Sequence, residues 1–336
     1  MEAITSITEQ LAISLQGRWE KYNQELNRCR QAFSEEAVHD LRVATRRLLA
    51  LIDLIGVLYP NIQVQKLLLI FKDQLDSYDD LRDTQVMLLE IGQRVQEIPE
   101  LTNFHKYLAK REKDLLRTAE KNVQRYKLTV LEKRVATLEK AMRKAQERES
   151  FVEQVFQSLD DVYASVLKRF KRIDPNIPPT IHRVRVRFKK FRYMVECVYP
   201  FLSKFPEGNL RAMHDYQTLM GNIQDKEVLL STLNTFAGKK NGAKLNEAIE
   251  FYQREHAETI QVYMAQKDEL LRFWRQSPAK PFPWEADSIS PPSETKKSRR
   301  KHKTPSPESA SQTEMAQETS PESASQTETV QETSPN

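Results

Sequence analysis

Between residues 180 and 199 the apolar positions Ile181, Val184, Phe188, Phe191, Val195 and Val198 recur at helical spacing. Inside that stretch Arg183, Val184, Arg185, Val186, Arg187 and Phe188 alternate with period 2, as in a half-buried strand. The helical period runs longer, so a helix is predicted, begun by Thr180 as cap and stopped at Pro200. Mixed apolar and polar spacing predicts a helix over residues 2–33. Ser34, followed by Glu35 and Glu36, is a natural start for the next, which ends before Pro60. Further helices are predicted over 62–96 with a break near 77–80, over 102–148 with a bend around 119–123, and over 151–172. IDPNIPP (173–179) is a connector, and helices at 207–220, 223–237 and 244–276 follow, with GKKNG (238–242) as a turn. The pattern gives eight or nine helices and no strand.

Composition agrees. Only seven glycines occur, and seven of the sixteen prolines precede Pro278, so turns are too few for a many-stranded sheet. From residue 277 Pro, Ser, Thr and Glu dominate. SPESASQTEMAQET (306–319) is followed by SPESASQTETVQET (320–333), and the tail 277–336 is expected to be disordered for want of apolar side chains. The net charge of +5 hides a segregation. Residues 296–303 carry +6 and residues 304–336 carry −6, which leaves +5 on residues 1–295. Cys29 and Cys197 lie far apart within predicted helices, which suits a reducing compartment better than a disulfide framework. No signal-peptide pattern and no membrane-spanning apolar run are present, so a cytoplasmic location is expected.

The chain is internally duplicated. VHDLRVATRR (38–47) matches IHRVRVRFKK (181–190), with His39, Arg42, Arg46 and Arg47 each 143 residues before His182, Arg185, Lys189 and Lys190. Arg111 and Arg254 share that offset, while LRD (81–83) faces IQD (223–225) at 142. Two related helical halves, 1–148 and 149–276, are therefore expected about a pseudo-two-fold axis, with equivalent helices at one central cleft.

At about 100° per residue, Arg185, Lys189 and Arg192 fall within about 80° of His182, opposite Phe188 and Phe191. His39, Arg42 and Arg46 cluster likewise, opposite Val38, Leu41, Leu48 and Ile52. Cations at this spacing repel and weaken a bare helix. A solvated face is the ordinary explanation for one such ladder; its repetition points to an anionic partner. Rungs about 5.4 Å apart suit a linear polyanion, with Arg gripping phosphate oxygens in pairs and Lys acting as a point charge.

Enzymatic readings find less support. His39-Asp40 and His214-Asp215 resemble the HD pairs of metal-dependent phosphohydrolases, but the additional His and distant Asp are not apparent, and Arg42, Arg46 and Arg183 would repel a cation. There is no Gly-rich phosphate loop and no zinc spacing, so neither cofactor nor metal is expected. Asp83 and Asp225 read as packing residues or as partners of a ladder cation.

VHDLRVATRR, LRD, IHRVRVRFKKFRY and LMGNIQD (219–225), in that order, resemble the CHAD domain, the conserved-histidine α-helical domain, over about residues 5–276. The resemblance implies an all-α fold of two related four-helix bundles about a pseudo-two-fold axis, and binding of inorganic polyphosphate on a basic central surface. It carries over His39, Arg42, Arg46, Lys72, His182, Arg185, Lys189 and Arg192 as ligands. Arg47, Arg111, Lys190, His214 and Arg254 complete the candidate set. Two departures stand out: Asp79 where the first half usually has Gly (the second keeps Gly221), and His214 where a lysine is common. Nothing resembles the CYTH triphosphate-processing domain to which some relatives are fused. The expected function is non-catalytic polyphosphate binding, at polyphosphate granules or beside a separate polyphosphate-metabolising enzyme, with no membrane partner. Hydrolysis of polyphosphate or a phosphate ester, and nucleic-acid binding, are the alternatives.

Overall fold

The computed structural model describes residues 7–144, 151–202, 204–239 and 245–286. Those residues are all helical or connecting, with no strand among them. The helices are α1 (Ile7–Gln31), α2 (Glu35–Leu58), α3 (Ile62–Asp76), α4 (Asp79–Arg94), α5 (Thr102–Arg125) and α6 (Leu128–Lys144). After them come α7 (Phe151–Phe170), α8 (Pro179–Val198), α9 (Asn209–Lys239), α10 (Asn246–Gln266) and the single turn α11 (Pro283–Ala286). Ser34 caps α2 as its position suggests: its Oγ accepts from the Ala37 amide at 3.1 Å, a contact worth about 1 kcal/mol.

The centre of the fold is the contact of α2 with α8. Helix α2 also packs on α1, α3 and α7, and α8 also packs on α7 and α9. Phe188 and Phe191 of α8 are fully buried. Phe188 lies 5.2 Å from Tyr216 and 5.7 Å from Phe273, and Phe191 lies 4.8 Å from Tyr163 and 5.5 Å from Trp274. Burial of each ring stabilises the fold by roughly 1.5–3 kcal/mol, and edge-on ring contacts add about 0.5–1.5 kcal/mol. A second core cluster brings Met87, Ile91, Phe104 and Leu108 of α4 and α5 against Leu229, Leu233, Phe236 and Tyr252 of α9 and α10. Both cores thus draw on residues from either side of position 148.

Several boundaries differ from those predicted. The helices predicted over 207–220 and 223–237 are one helix, α9, which starts at Asn209. Gly221 weakens helix preference by about 1 kcal/mol, but burial of Met220 and Ile223 on either side of it outweighs that cost. The matching span in the first half does break, between α3 and α4, at Ser77 and Tyr78. The bend expected at 119–123 falls later. Ala119 and Val123 stay helical and buried, and Tyr126 turns extended where Arg30 takes the carbonyls of Val123 and Tyr126.

Thr180 is not the cap of α8. Its hydroxyl accepts the Asp174 amide at 3.0 Å and donates to the Ile177 carbonyl at 2.8 Å, tying down the connector. The helix begins instead at Pro179, whose missing N–H costs nothing in a first turn. Helix α10 gives way at Lys267 to a tighter 3₁₀ run through Arg272. There the buried Tyr216 and Tyr163 hydroxyls donate to the Lys267 and Leu270 carbonyls at 2.9 and 2.6 Å.

The tail expected to be disordered from 277 begins with an ordered stretch. Trp284 stacks on Phe282 at 4.6 Å, and Phe282 meets Trp274 at 4.8 Å. The buried Asp160 accepts from Trp274 Nε1 at 2.8 Å and from both sides of the Arg275 guanidinium at 2.9 and 2.6 Å, clamping this end of the chain to α7. The basic run 296–303 and the acidic repeat 306–333 lie outside the described residues. Cys29 and Cys197 are buried free thiols. Among the described residues no helix is long and apolar enough to cross a membrane.

Candidate functional site

The apolar stripes of α2 and α8 face the core, so their polar flanks must emerge where the two helices meet. A groove of about 590 Å³ opens there, lined by Arg46 and Asp53 of α2, Lys72, Asp76 and the nearby Asp79, and by Arg185, Arg187, Lys189, Lys190 and Tyr193 of α8. Of the matched pairs, Arg46 and Lys189 both line this groove. Arg46 is held below the usual arginine range by burial first and then by Arg42, with Arg185 adding to the effect. Lys189 is pushed down to about 7 by burial, followed by Arg46, Arg185 and Arg42; Asp79 offsets part of this. Four cations from the duplicated segments therefore share one field.

The fold has already occupied some of the candidates. Arg42 is buried and donates to the Leu75 carbonyl at 3.0 Å and to Asp79 at 2.7 Å. Lys190 pairs with Asp53 at 2.5 Å, and Arg47 lies 3.8 Å from Glu196. Arg192, placed on the ladder by its angular position, is buried under Tyr193 and bonded to Glu196 at 2.5 Å and Gln217 at 3.0 Å. These residues tie α2 to α3, α4 and α8, and α8 to α9. Among the described residues, Arg46, Lys72, Arg185, Arg187 and Lys189 make no ion pair.

Arg185 shows why the departure at residue 79 matters. Its counterpart Arg42 has Asp79 as a partner, whereas Arg185 runs past Gly221, the residue equivalent to Asp79. A Cβ at Gly221 would sit 3.7 Å from Arg185 Nε, and that Nε is buried without a hydrogen-bond partner. The carboxyl of Asp225 feels the charge of Arg185. It is raised by burial and drawn back by Arg82 and then Arg185. Asp83 is raised by burial and then by Asp225, so the two aspartates of the duplicated motif oppose each other across α4 and α9.

His182 stands one turn before Arg185. Burial, then Arg185, lower its pKa, while Gln224 and Glu227 oppose the shift, and its Nδ1 has no partner. His39 is exposed near the start of α2. Arg111, His214 and Arg254 do not line the groove: Arg111 pairs with Asp80 at 3.3 Å, and His214 and Arg254 are exposed on α9 and α10. Among the described residues no three His, Cys, Asp or Glu side chains converge in a way that could hold a metal ion. The sequence reading passed over Arg187, Tyr193 and Asp53. Arg187 could have been found from its i, i+3 relation to Lys190, whereas Asp53 required the pairing of two helices.

The family model described as CHAD domain matches residues 14–234. The chain is similar to the crystal structure of the CHAD domain from the plant Ricinus communis, with a TM-score of 0.60 and 18% identity over 81% of this chain and 92% of that one. That likeness establishes the fold. No curated protein matches this sequence significantly.

Proposed function

The chain belongs to the CHAD domain family, and from that premise we propose that its α2–α8 groove binds inorganic polyphosphate without catalysing its breakdown. One observation carries the reading: five cations, Arg46, Lys72, Arg185, Arg187 and Lys189, line one open groove, and among the described residues no carboxylate is paired to any of them. A linear polyanion would relieve their mutual repulsion and return Lys189 to its charged form. Arg supplies paired donors to phosphate oxygens, and Lys a compact charge. We read the chain as two related halves meeting near residue 148. The presence of Arg46 and its sequence counterpart Lys189 on one groove supports that reading. Placement in the cytoplasm, at polyphosphate granules or beside a polyphosphate-metabolising enzyme, belongs to the same proposal.

The test compares long-chain polyphosphate, RNA and DNA of matched charge at several salt concentrations, with phosphate release followed in parallel. Polyphosphate should bind more tightly than either nucleic acid, with affinity falling steeply as salt rises, and no phosphate should appear. Equal affinity for the three polymers would defeat the polyphosphate reading. Steady phosphate release would make the protein a hydrolase.

A further inference from the structure

On α7, Ser165, Lys168, Arg169 and Arg172 follow one another at i, i+3, i+4 and i+7, which places them on one face of the helix and its exit turn. That face, with Thr180 and Arg183 at the start of α8, encloses a groove of about 740 Å³, larger than the central one. A neighbouring depression runs on through Lys168, Lys171 and Arg172 to Gln276. Among the described residues no carboxylate lines either. Among the described residues, Lys168, Arg169, Lys171, Arg172 and Arg183 form no ion pair. Arg169 donates to the Ser165 carbonyl and Oγ at 2.9 and 2.6 Å, which fixes its guanidinium along the helix.

A helix C-terminus attracts cations, which accounts for Lys168 and Arg169 by itself. It does not account for Arg183. That residue sits near the N-terminal, positive end of α8, where a cation is disfavoured, yet it lines the same groove. Arg187, one turn farther along α8, lines the central groove. The two grooves are thus joined along α8 by an Arg183–Arg187 step.

We propose that the α7–α8 groove is a second anion site, taking condensed phosphate, and that a long chain leaving the central groove passes Arg187 and Arg183 to reach it. The proposal rests on the polyphosphate reading of the central groove. Short chains fill the two grooves separately; long chains bridge them.

The test uses the full chain and the triple variant K168Q/R172Q/R183Q, which leaves Arg169 and its bonds to Ser165 in place. Tripolyphosphate and long-chain polyphosphate are titrated calorimetrically at several salt concentrations, with circular dichroism to verify that the variant is folded. Tripolyphosphate should bind at two sites per wild-type chain and at one in the variant. Long chains should bind the variant at least about tenfold more weakly. The slope of log affinity against log salt should be shallower by roughly 2, at about 0.7 per lost phosphate contact. A folded variant that keeps the wild-type slope, affinity and stoichiometry overturns the second site and leaves the central one standing. Failure of the wild-type chain to bind polyphosphate at all overturns both. Should the variant not fold, K168Q/R172Q, confined to exposed positions at the end of α7, gives the same readouts with a slope change of roughly 1.4.

Discussion

Burial and the neighbouring cations change the chemistry of Lys189 in the groove sharply. With its pKa brought from 10.5 to about 7, the folded protein at pH 8 to 10 lacks a proton that the unfolded chain holds. The unfolded state binds more protons across that window, so this residue's contribution makes stability rise with pH between about 7 and 10.5. Bound polyanion reverses the balance, because it stabilises the ammonium. Binding at pH 8 should therefore take up close to one proton per chain, and affinity should fall by at most about tenfold per pH unit above 7. Calorimetry in buffers of different ionisation enthalpy counts that proton. Lys189→Arg should abolish the uptake while preserving binding; an unchanged uptake would place the titration elsewhere. His182, lowered by burial and Arg185, contributes its own charge only at lower pH.

Among elements, the pairing of α2 with α8 separates cations that hold the fold from cations that make no ion pair among the described residues. The difference was not legible in the sequence, where Arg192 and Lys189 stand on the same arc. Helical periodicity assigned the right face to Phe188 and Phe191, and the duplication pointed to Arg46 and Lys189 together. Neither could reveal that Glu196, one turn beyond Arg192, would claim its guanidinium at 2.5 Å with Gln217 of α9 on the other side. Nor could they show that Asp53 would reach across from α2 to Lys190. Such partners come from other helices or from rotamers chosen by packing. Helix α9 failed to read as one helix for a related reason, since Gly221 is a local signal and the burial around it is not. Arg192→Ala should cost roughly 2–3 kcal/mol in stability, because a buried charged hydrogen-bond pair is broken. Chemical denaturation would measure that loss. Polyphosphate affinity per folded molecule should stay within about twofold of wild type, while Lys189→Ala should show the opposite balance, and equal losses of affinity would return Arg192 to the groove.

For the whole molecule, duplication in sequence does not entail independence in folding. Phe104 and Leu108 of α5 pack with Leu229, Leu233 and Phe236 of α9, and α2 rests on both α7 and α8. A fragment comprising residues 1–148 would expose these apolar surfaces to water at roughly 25 cal/mol per Å². We expect that fragment alone to show no cooperative thermal transition and to bind a hydrophobic dye. Mixed with residues 149–336, it should regain a single transition, and polyphosphate should raise the midpoint only in the mixture, because Arg46 and Lys189 come from different fragments. Calorimetry and dye fluorescence on the fragments, separate and combined, decide the matter. An independently melting first fragment would show that α1 to α6 bury enough of their own apolar surface, and the contact across position 148 would then be a docking of two finished halves rather than a shared core.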